Sequence, residues 1–306
     1  MSQVPLKLGI DLGGTKIHAV VLDTAGRTLW EHRVPTPKDD YAATLRALAG
    51  MVEAGAAATG RQPMTVGVGG PGTLTSQGLL KNANSTWLNA QPVERDLAAL
   101  LGRPVRYAND ANCLALSEAT DGAGAGSEVV FAVILGTGTG AGIAVHGRVL
   151  EGPNGLAGEW GHNPLPWHDP QEDPSFDCYC GRRGCNETVL SGSGLARSHA
   201  WRHGGALDGP QIVARAEAGD AACQDTLQRH AHQLARGLAA VINLLDPDVI
   251  VVGGGLSRMA SLYERVPALW DRWVFSGGLQ DPVRTRLVPA RHGDASGVRG
   301  AAWIGR

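Results

Sequence analysis

Alternating apolar and small or polar positions near residue 10 predict a β-hairpin. Leu6, Leu8 and Ile10 occupy every second position, and the apolar run Ile17–Leu22 follows the pair Gly13-Gly14. Strict alternation is typical of a strand, and glycines between two such runs are typical of a turn. We therefore predict two strands joined by a glycine turn.

A second segment has the same organisation. The apolar run Val129–Leu135 precedes the turn Gly136–Gly140, and the apolar run Ile143–Val145 follows that turn. Both segments thus consist of a strand, a turn rich in glycine and hydroxyl groups, and a returning strand. We interpret them as a weak internal repeat.

Other apolar runs alternate between helix and strand spacing. Leu45, Leu48 and Val52 share one face of a predicted helix after Asp39-Asp40. Strands that alternate with helices indicate an α/β fold, and the Gly- and Ala-rich stretch Ala119–Gly126 is the predicted boundary between its halves. The remaining predicted elements are the strands Thr65–Gly69, Val105–Ala108 and Val249–Val252 and the helices Ala111–Ala119 and Ala221–Leu245.

Composition and charge exclude several classes of protein. The 306 residues are 43% hydrophobic and 18% charged, with a formal net charge of -2, so no basic face for nucleic acid is implied. The apolar runs are far shorter than the roughly 20 residues that span a bilayer, and Met1–Lys7 lacks the apolar core of a signal peptide. We therefore expect a cytoplasmic protein without a nucleic-acid or membrane partner.

The turn Asp11–Lys16 has the residue types that bind phosphate. Phosphate oxygens need several donors, and backbone N–H groups can supply them where glycines such as Gly13 and Gly14 leave the approach open. Thr15 adds a hydroxyl group, Lys16 adds a charge, and Asp11 offers a carboxylate to nucleotide-bound Mg²⁺. An ordinary glycine hairpin is the alternative. The turn is not a Walker A loop, because no Gly-Lys-Ser/Thr closes a longer glycine-spaced loop.

The second turn strengthens the nucleotide interpretation. Its residues Gly136, Thr137, Gly138 and Thr139 repeat the glycine and hydroxyl chemistry, and two such turns facing each other would hold a triphosphate from both sides. A strand rather than a helix follows, so the turn is not a dinucleotide fingerprint. Gly253-Gly254-Gly255, after a predicted strand, is a third candidate nucleotide contact, with a tight strand-to-helix connection as the alternative.

Asn109 and Asp110 lie where a predicted strand gives way to a helix. A hydroxyl group that attacks a γ-phosphate benefits from a carboxylate that accepts its proton. Asp110 is placed for this role, and Asn109 could orient the acceptor. Helix capping, for which Asn and Asp are both favoured, is the alternative.

Three of the five cysteines, Cys178, Cys180 and Cys185, lie within one short segment. In a reducing compartment such spacing indicates a metal rather than disulfides. With His162 as the fourth ligand they would form a closed, structural Cys₃His zinc site. A Cys178–Cys185 disulfide, free thiols and a merely hydrogen-bonded His162 are the alternatives. Cys113 and Cys223 fall in predicted helices and are expected to be small buried residues.

Together these motifs resemble the ROK family of repressors, open reading frames and sugar kinases. The resemblance covers essentially the whole chain, and its most specific part pairs Glu159-Trp160-Gly161-His162 with Cys178–Glu187. No motif position departs from the family pattern. The stretches Lys81–Asn89 and Gly158–Trp167 are similar to the bacterial fructokinase, or manno-fructokinase, branch.

The resemblance implies an actin-like or hexokinase-like ATPase fold, with two ribonuclease-H-like domains around a cleft. The smaller domain would comprise residues 1–119 and a C-terminal helix at about 294–306, with the first turn and Asp110. The larger domain would comprise residues 120–293, with the second turn, the zinc site and a glycine loop against adenosine. A homodimer is expected from relatives in the family.

The resemblance also implies roles for single residues. Asp110 matches the catalytic base, and His162 would bind zinc through one ring nitrogen and the sugar through the other. Without the resemblance, Glu159 would be a solvated loop carboxylate and Glu187 a helix-start carboxylate. The implied sugar contacts are Gly70, Asn84, Asn109, Asp110, Glu159, His162 and Glu187.

The predicted reaction is transfer of the ATP γ-phosphate, with Mg²⁺, to the 6-hydroxyl of a hexose. Fructose is the first expectation and mannose the next, with an N-acetylhexosamine kinase or a glucokinase as the alternative. A sugar-responsive repressor would need an N-terminal helix-turn-helix, for which the strand at Leu6 leaves no room. A silent sugar-binding module is disfavoured by Asp110 and the two turns.

Overall fold

Strands and helices alternate along the computed structural model, which describes residues 5–62, 65–276 and 281–305. The first elements are β1 (Lys7–Leu12), β2 (Lys16–Leu22), β3 (Thr28–Pro35), α1 (Tyr41–Thr59), β4 (Thr65–Gly70), β5 (Thr73–Leu74), β6 (Leu80–Lys81), α2 (Val93–Leu101), β7 (Val105–Asn109) and α3 (Asp110–Asp121). They are followed by β8 (Val129–Leu135), β9 (Thr139–Val145), β10 (Arg148–Val149), α4 (Asn186–Leu190), α5 (Gly192–His203), α6 (Gly209–Glu217), α7 (Ala221–Leu245), β11 (Val249–Gly253), α8 (Ala260–Arg265), β12 (Arg286–Pro289) and α9 (Ser296–Ile304). Short 3₁₀ helices lie at Thr86–Leu88, Glu159–His162, Gly255–Arg258, Pro267–Arg272 and Gly293–Ala295.

The elements predicted from apolar spacing are confirmed, and local capping explains their ends. The Asp40 side chain accepts a hydrogen bond from the Ala43 N–H at 2.8 Å, and Gly60 ends α1 in the left-handed conformation at φ 63°. Helix α7 has the predicted bounds because Asp220 caps its start, and Pro247 follows its end. The spacing missed β3, α2 and several short helices, since their exposed residues weaken the pattern.

The first sheet has the strand order β3-β2-β1-β4-β7. Strand β1 pairs antiparallel with β2 and parallel with β4, which pairs parallel with β7. In this register Asp11 lies opposite Gly69, and Gly70 lies opposite Asn109. The carboxyl ends of β1, β4 and β7 therefore lie at one edge of the sheet, where the predicted phosphate and catalytic residues follow.

Alternation along β2 places a helical layer on each face of this sheet. Ile17 and Val21 pack in a core cluster with residues of α1, whereas Val20 and Leu22 pack with Val298 and other residues of α9. Side chains of a strand point alternately to its two faces, so the period of two accounts for both contacts. The first sheet is thus covered by helices on both sides.

Helix α9 lies directly on the sheet because glycines leave room for its backbone. A Cβ atom on Gly9 would lie 2.2 Å from the Val298 carbonyl oxygen, and one on Gly67 would lie 1.9 Å from the Ala301 carbonyl oxygen. Neither distance can be relieved by a side-chain rotation, because both atoms belong to the backbone. The C-terminal helix therefore needs glycine at these two strand positions.

The second sheet has the strand order β10-β9-β8-β11-β12. Strand β11 pairs parallel with both β8 and β12. Every residue of β11 is buried, as expected for a parallel strand that is covered on both faces. Its continuous apolar run, Val249–Val252, is the sequence signature of this burial.

Contacts divide the chain into two compact units. The first comprises Met1–Gly126, Gly142–Ala157 and Asp294–Arg306, and the second comprises Ser127–Ala141 and Gly158–Gly293. Helix α9 belongs to the first unit. Residues 142–157, which the predicted larger domain includes, also pack in the first unit. Residues 1–4 and 306, at the ends of the predicted smaller domain, lie outside the described residues.

The reason for the different boundary lies in the packing of β9 and the loop after β10. Gly142 lies so close to α3 that a Cβ would be 2.3 Å from the Ala111 carbonyl oxygen. The Lys81 ammonium donates to the Asn154 carbonyl at 3.2 Å. Within the described residues, no helix has the length and apolar character to cross a membrane.

Candidate functional site

In the first unit, the turn Asp11–Lys16 joins β1 to β2 and leaves its tip exposed. The Gly13 N–H donates to the Lys16 carbonyl at 3.0 Å, and the Thr36 N–H donates to the Thr15 carbonyl at 3.0 Å. These bonds make the turn narrow, while Gly14, Thr15 and Lys16 remain exposed. A rigid turn with accessible backbone at Gly14 fits the phosphate-binding prediction.

Asp11 and Asp110 follow parallel strands in the same sheet and interact electrostatically. Burial and, as the second cause, the negative charge of Asp110 raise the pKa of Asp11 to about 6, while Lys16 opposes both effects. The two carboxyl groups thus share one site at the carboxyl edge of the first sheet. Such a pair can bind one cation together, or one carboxyl group can accept a proton while the other binds a cation.

Asn109 and Asp110 begin α3, so the capping alternative is also observed. The Asn109 side chain accepts a hydrogen bond from the Ala111 N–H at 2.9 Å, and its amide donates to the Gly72 carbonyl at 3.2 Å. Asp110 accepts from the same N–H at 2.8 Å. Capping orients both side chains at the sheet edge, and it leaves carboxylate lone pairs for a further partner.

Gly70 and Asn84, two implied sugar contacts, occupy different environments in the first unit. Gly70 is buried, and a Cβ there would lie 2.5 Å from the Tyr107 hydroxyl, which donates to the Pro71 carbonyl. Packing alone therefore requires this glycine. Asn84 is exposed on a loop that Asn89 ties down through both the N–H and the carbonyl of Ala83.

In the second unit, the other glycine turn is closed by a hydrogen bond from the Gly136 N–H to the Gly138 carbonyl at 3.0 Å. Thr137 is exposed, whereas Thr139 is buried and its hydroxyl has no partner among the described residues. Thr137 can therefore meet a ligand directly. The predicted contact at Thr139 fits an unsatisfied polar group that a ligand would complete.

The third glycine loop packs directly against this turn. Gly254 has a φ of 81°, and a Cβ there would lie 2.6 Å from the Leu135 carbonyl group and 2.8 Å from the Gly136 nitrogen. A side chain at position 254 is excluded by both the backbone conformation and the contact. The structure thus brings Gly253–Gly255 and Gly136–Thr139, both predicted to bind nucleotide, into one region of the second unit.

Glu187 also contacts the second glycine turn. One of its carboxylate oxygens accepts a hydrogen bond from the Thr139 N–H at 3.3 Å, and a Cβ on Gly138 would lie 3.1 Å from it. The N-terminus of α5 also contacts the turn, because the Gly192 N–H donates to the Gly136 carbonyl at 2.7 Å. A predicted sugar residue and a predicted phosphate turn are therefore neighbours.

His162 reaches the cysteines through a 3₁₀ helix that Trp160 anchors. The buried Trp160 indole donates to the Gly237 carbonyl on α7 at 3.1 Å. Gly161 fits against the second turn, where a Cβ would lie 2.1 Å from the Thr139 carbonyl oxygen. Glu159, one residue before Trp160, is exposed. This anchoring places His162 and Glu159 at the same end of the second unit as Glu187.

The four predicted zinc ligands form a compact cluster. The ligand atoms of His162, Cys178, Cys180 and Cys185 all lie within 4.8 Å of one another. The Cys180 and Cys185 sulfurs are 3.6 Å apart, and the Cys178 sulfur is 3.5 Å from His162 Nδ1. Tetrahedral Zn–S and Zn–N bonds give ligand separations of about 3.8 and about 3.5 Å. The donor set therefore fits a Cys₃His ion, and the disulfide alternative is wrong, because all these cysteines are free.

Backbone and electrostatics both favour a cation at this cluster. Gly181 and Gly184 take positive φ values of 84° and 69°, which lets the loop curl around one point. Burial and the neighbouring thiols raise the pKa of Cys185 to about 12. A bound cation would stabilise the thiolate that burial alone disfavours. Cys113 and Cys223 lie apart from the cluster, buried in α3 and α7, as predicted.

Tyr179 is a residue of this site that the sequence interpretation missed. Its hydroxyl is 2.9 Å from His162 Nε2. Although most of the side chain is exposed, partial desolvation and then the carboxylates of Glu187 and Glu159 raise the pKa of Tyr179 well above its usual value. Tyr179, Glu187, Ser191, Ser193 and Arg197 are among the residues that line a cavity of about 230 Å³. The position of Tyr179 between the predicted zinc ligands Cys178 and Cys180 was the sequence signal that could have revealed it.

The mixed α/β sheets and the glycine turns place the chain in the class of hexokinase-like, actin-like ATPases. The family model described as "ROK family" matches residues 7–306. The chain therefore belongs to the ROK family.

Three similar proteins span nearly the full chain. An N-acetyl-D-glucosamine kinase of Salmonella paratyphi B is 39% identical over 304 residues, 97% of this chain and 98% of its own. A ROK hexokinase from Thermus thermophilus superposes with a TM-score of 0.85 at 33% identity, covering 98% of this chain and 97% of that one. A ROK family glucokinase from Streptomyces griseus, in complex with glucose and AMPPNP, has a TM-score of 0.78 at 29% identity, covering 98% and 99%.

These similarities confirm the general prediction of a ROK-family sugar kinase. They do not confirm the fructokinase branch, since the 39% identical relative is named for N-acetyl-D-glucosamine. Motifs such as Lys81–Asn89 therefore indicate membership of the family rather than specificity for one sugar. Sugar choice depends on the placement of a few hydroxyl partners, which residue identity in a motif leaves open.

Proposed function

We propose that this chain is an ATP-dependent kinase that phosphorylates the 6-hydroxyl of N-acetyl-D-glucosamine. The observation that carries the choice of sugar is the 39% identity, over 97% of the chain, to an enzyme named for that sugar. Fructose and mannose are the second candidates, on the resemblance of Lys81–Asn89 and Gly158–Trp167 to fructokinases. The reaction class is common to both candidates.

The first unit would supply the proton acceptor and a ligand for the cation. Asp110 takes the proton of the sugar hydroxyl while that oxygen forms its bond to the γ-phosphorus and the bond to the β-phosphate oxygen breaks. Asp11, whose carboxyl group shares the site with Asp110, would hold nucleotide-bound Mg²⁺, directly or through water. That cation would neutralise phosphate charge and return Asp11 to its ionised form.

The two glycine turns would hold the phosphates. Gly14 and Thr15 present an exposed backbone at the first turn, and Thr137 is exposed at the second. Backbone N–H groups are suitable donors for phosphate oxygens because no side chain lies in the way. The Gly253–Gly255 loop, which packs on the second turn, would contact the rest of the nucleotide.

The second unit would orient the sugar. Glu187 and His162 have their polar atoms near the second turn and the cysteine cluster, and Glu159 precedes the same 3₁₀ helix. A zinc ion bound by His162, Cys178, Cys180 and Cys185 would cross-link this region and hold the histidine ring in one orientation. Bidentate and paired hydrogen bonds to sugar hydroxyls would then select among hexoses.

A panel of sugars with ATP and Mg²⁺ tests this function. Initial rates of ADP formation are measured with N-acetylglucosamine, N-acetylmannosamine, glucose, mannose and fructose, and the position of the phosphate is read by ³¹P NMR. We expect kcat/KM to be highest for N-acetylglucosamine, with the product phosphorylated on oxygen 6. A higher value for fructose would replace the first candidate by the second, and no turnover of any sugar would refute the kinase.

A further inference from the structure

The Tyr179 hydroxyl is hydrogen-bonded to Nε2 of His162, the ring nitrogen that would contact a sugar. Nδ1 of His162 faces the cluster, 3.5 Å from the Cys178 sulfur. Nε2, on the other side of the ring, is 2.9 Å from the Tyr179 oxygen. The two rings meet edge to face, with centroids 5.0 Å apart and an interplanar angle of 89°. A cation bound to Nδ1 would leave the proton on Nε2, which would then donate to the phenol oxygen.

Tyr179 lies at the protein surface. It stands on a tight turn closed by a hydrogen bond from the Gly181 N–H to the Cys178 carbonyl at 3.0 Å. Its side chain is 78% exposed, although it is large and aromatic. The backbone is therefore fixed by the turn, while the ring can leave His162 by rotation about its own side-chain bonds without disturbing a packed core.

The cavity beside this contact is polar and opens next to Glu187. Tyr179 and Glu187 line it together with Ser191, Ser193 and Arg197. A neutral imidazole that faces the cluster through Nδ1 has one remaining N–H. A phenol oxygen at 2.9 Å already uses that donor, so a sugar hydroxyl and Tyr179 exclude each other there.

We propose that Tyr179 is a specificity-determining residue that competes with the sugar for His162 Nε2. In this arrangement the Tyr179 hydroxyl accepts a hydrogen bond from His162 Nε2–H and keeps the imidazole ring in one orientation. A sugar binds productively only by displacing the Tyr179 hydroxyl from His162. The phenol therefore lowers the affinity for sugars that cannot replace this hydrogen bond. The inference rests on the proposed function, because that function assigns His162 to the sugar.

The test is the Tyr179→Phe variant, which removes the hydroxyl and keeps the ring. The affinity for N-acetylglucosamine, without nucleotide, is measured by isothermal titration calorimetry. Because a hydrogen bond contributes about 0.5–1.5 kcal/mol net, we expect the variant to bind the sugar about 2- to 10-fold more tightly. We expect KM for the sugar to fall, with kcat unchanged and zinc content equal to that of the wild type.

Tyr41→Phe is the matched control. It removes a tyrosine hydroxyl of the first unit that lies 3.0 Å from the Asp96 carboxylate, and it should leave sugar affinity unchanged. Weaker sugar binding by Tyr179→Phe would overturn the inference, since it would make Tyr179 a direct sugar ligand. Unchanged binding would overturn it as well, since no competition would then exist.

A second measurement does not depend on the variant. In wild-type protein labelled with ¹⁵N-histidine, adding N-acetylglucosamine should shift the His162 Nε2 resonance, and the ring should keep the same tautomer. An unshifted Nε2 signal at saturating sugar would contradict displacement of Tyr179. Failure of the proposed function is recognised separately, because wild-type protein would then bind and phosphorylate none of the sugars.

Discussion

At the scale of single residues, the carboxyl pair Asp11 and Asp110 explains how one edge of a sheet can serve a phosphoryl transfer. Asp110 is the first residue of α3, where the helix dipole favours an anionic side chain. Asp11 is more deeply buried, and its pKa is raised to about 6 by burial and then by Asp110. The environments of the two groups therefore differ, as proton transfer and cation binding require.

Replacing Asp110 with Asn tests the role of the proton acceptor. Asn retains the size of the side chain and the capping ability, so the fold and the sugar affinity should persist. General-base catalysis contributes about 10²- to 10⁴-fold, and we expect kcat to fall by that factor. Asp40→Asn, at the N-cap of α1, is the matched control. An Asp110→Asn variant with near-normal kcat would exclude Asp110 as the general base.

The raised pKa of Asp11 predicts a pH dependence of nucleotide binding. Below about pH 6 the Asp11 carboxyl is protonated in the nucleotide-free protein, and it must release that proton to bind Mg²⁺. The affinity for the Mg²⁺ complex of a non-hydrolysable ATP analogue should therefore fall below that pH, by at most about tenfold per pH unit. Calorimetric titration from pH 5 to 8 measures this slope, which should be absent in Asp11→Asn.

The same shift predicts a stability effect of opposite sign. Because the folded-state pKa of Asp11 lies above the unfolded value of 3.8, its contribution to stability is complete below pH 3.8 and is lost as the pH rises through about 6. Asp11→Asn should thus stabilise the nucleotide-free protein at pH 8, by up to about 3 kcal/mol, and by little at pH 4. Urea denaturation at both pH values decides whether the difference exists.

At the scale of elements, short loops rather than the long helices and strands carry the residues of the proposed sugar site. The 3₁₀ helix Glu159–His162, the cysteine loop and the start of α4 are joined by hydrogen bonds, such as that from the Asn186 N–H to the Asn163 carbonyl at 2.8 Å. The Leu165 N–H also donates to the Gly184 carbonyl at 3.0 Å. A metal that ties these loops together would rigidify the region.

Removing one cysteine of the cluster should therefore affect both metal and sugar. Cys185→Ala is expected to lower zinc affinity by more than about 100-fold, since even outer-sphere changes reduce metal affinity by about 10- to 100-fold. Sugar affinity and the melting temperature should fall with it. Metal content per chain is measured by plasma mass spectrometry. Cys223→Ala, a buried cysteine in α7, should retain full zinc, and freshly purified wild type without zinc would exclude the site.

At the scale of the whole molecule, the end of the chain completes the first unit. Helix α9 packs on β1 and β4 at Gly9 and Gly67, and it also contacts α3, which carries Asp110. The Ser296 hydroxyl donates to the buried Glu118 carboxylate on α3 at 2.8 Å. The position of α3, and with it that of Asp110, therefore depends on residues near position 300.

A methyl group at position 67 should separate this helix from the sheet. A Cβ there would lie 1.9 Å from a backbone oxygen of α9, and overpacking of this kind destabilises by about 1–3 kcal/mol or more. We expect Gly67→Ala to lose at least that much stability in urea denaturation. Gly50→Ala, on α1 with no atom within 4 Å of its Cβ, should instead gain up to about 1 kcal/mol. Equal effects of the two changes would refute this account of the packing.

Local signals identified the most periodic elements and the cysteines of the cluster, while contacts between distant segments could not be derived from them. Helix α7 and strand β11 have strong periodicity, and three of the four cluster ligands are near neighbours in sequence. Thr139 is buried, and its unsatisfied hydroxyl group is visible only in the folded chain. The position of Tyr179 between two predicted zinc ligands was a signal in the sequence, but its contact with His162 is visible only in the folded chain.

The sequence by itself determined the α/β class, the two glycine turns, the Asn109-Asp110 junction and the cysteine cluster, because each depends on residues close together in the chain. Tertiary structure alone decided that Asp11 and Asp110 share one site, that Glu187 touches the second turn, and that residues 142–157 pack in the first unit. These are contacts between distant segments. They depend on the order of the strands in each sheet and on helices that pack against strands at glycine positions. Local periodicity contains no information about either feature.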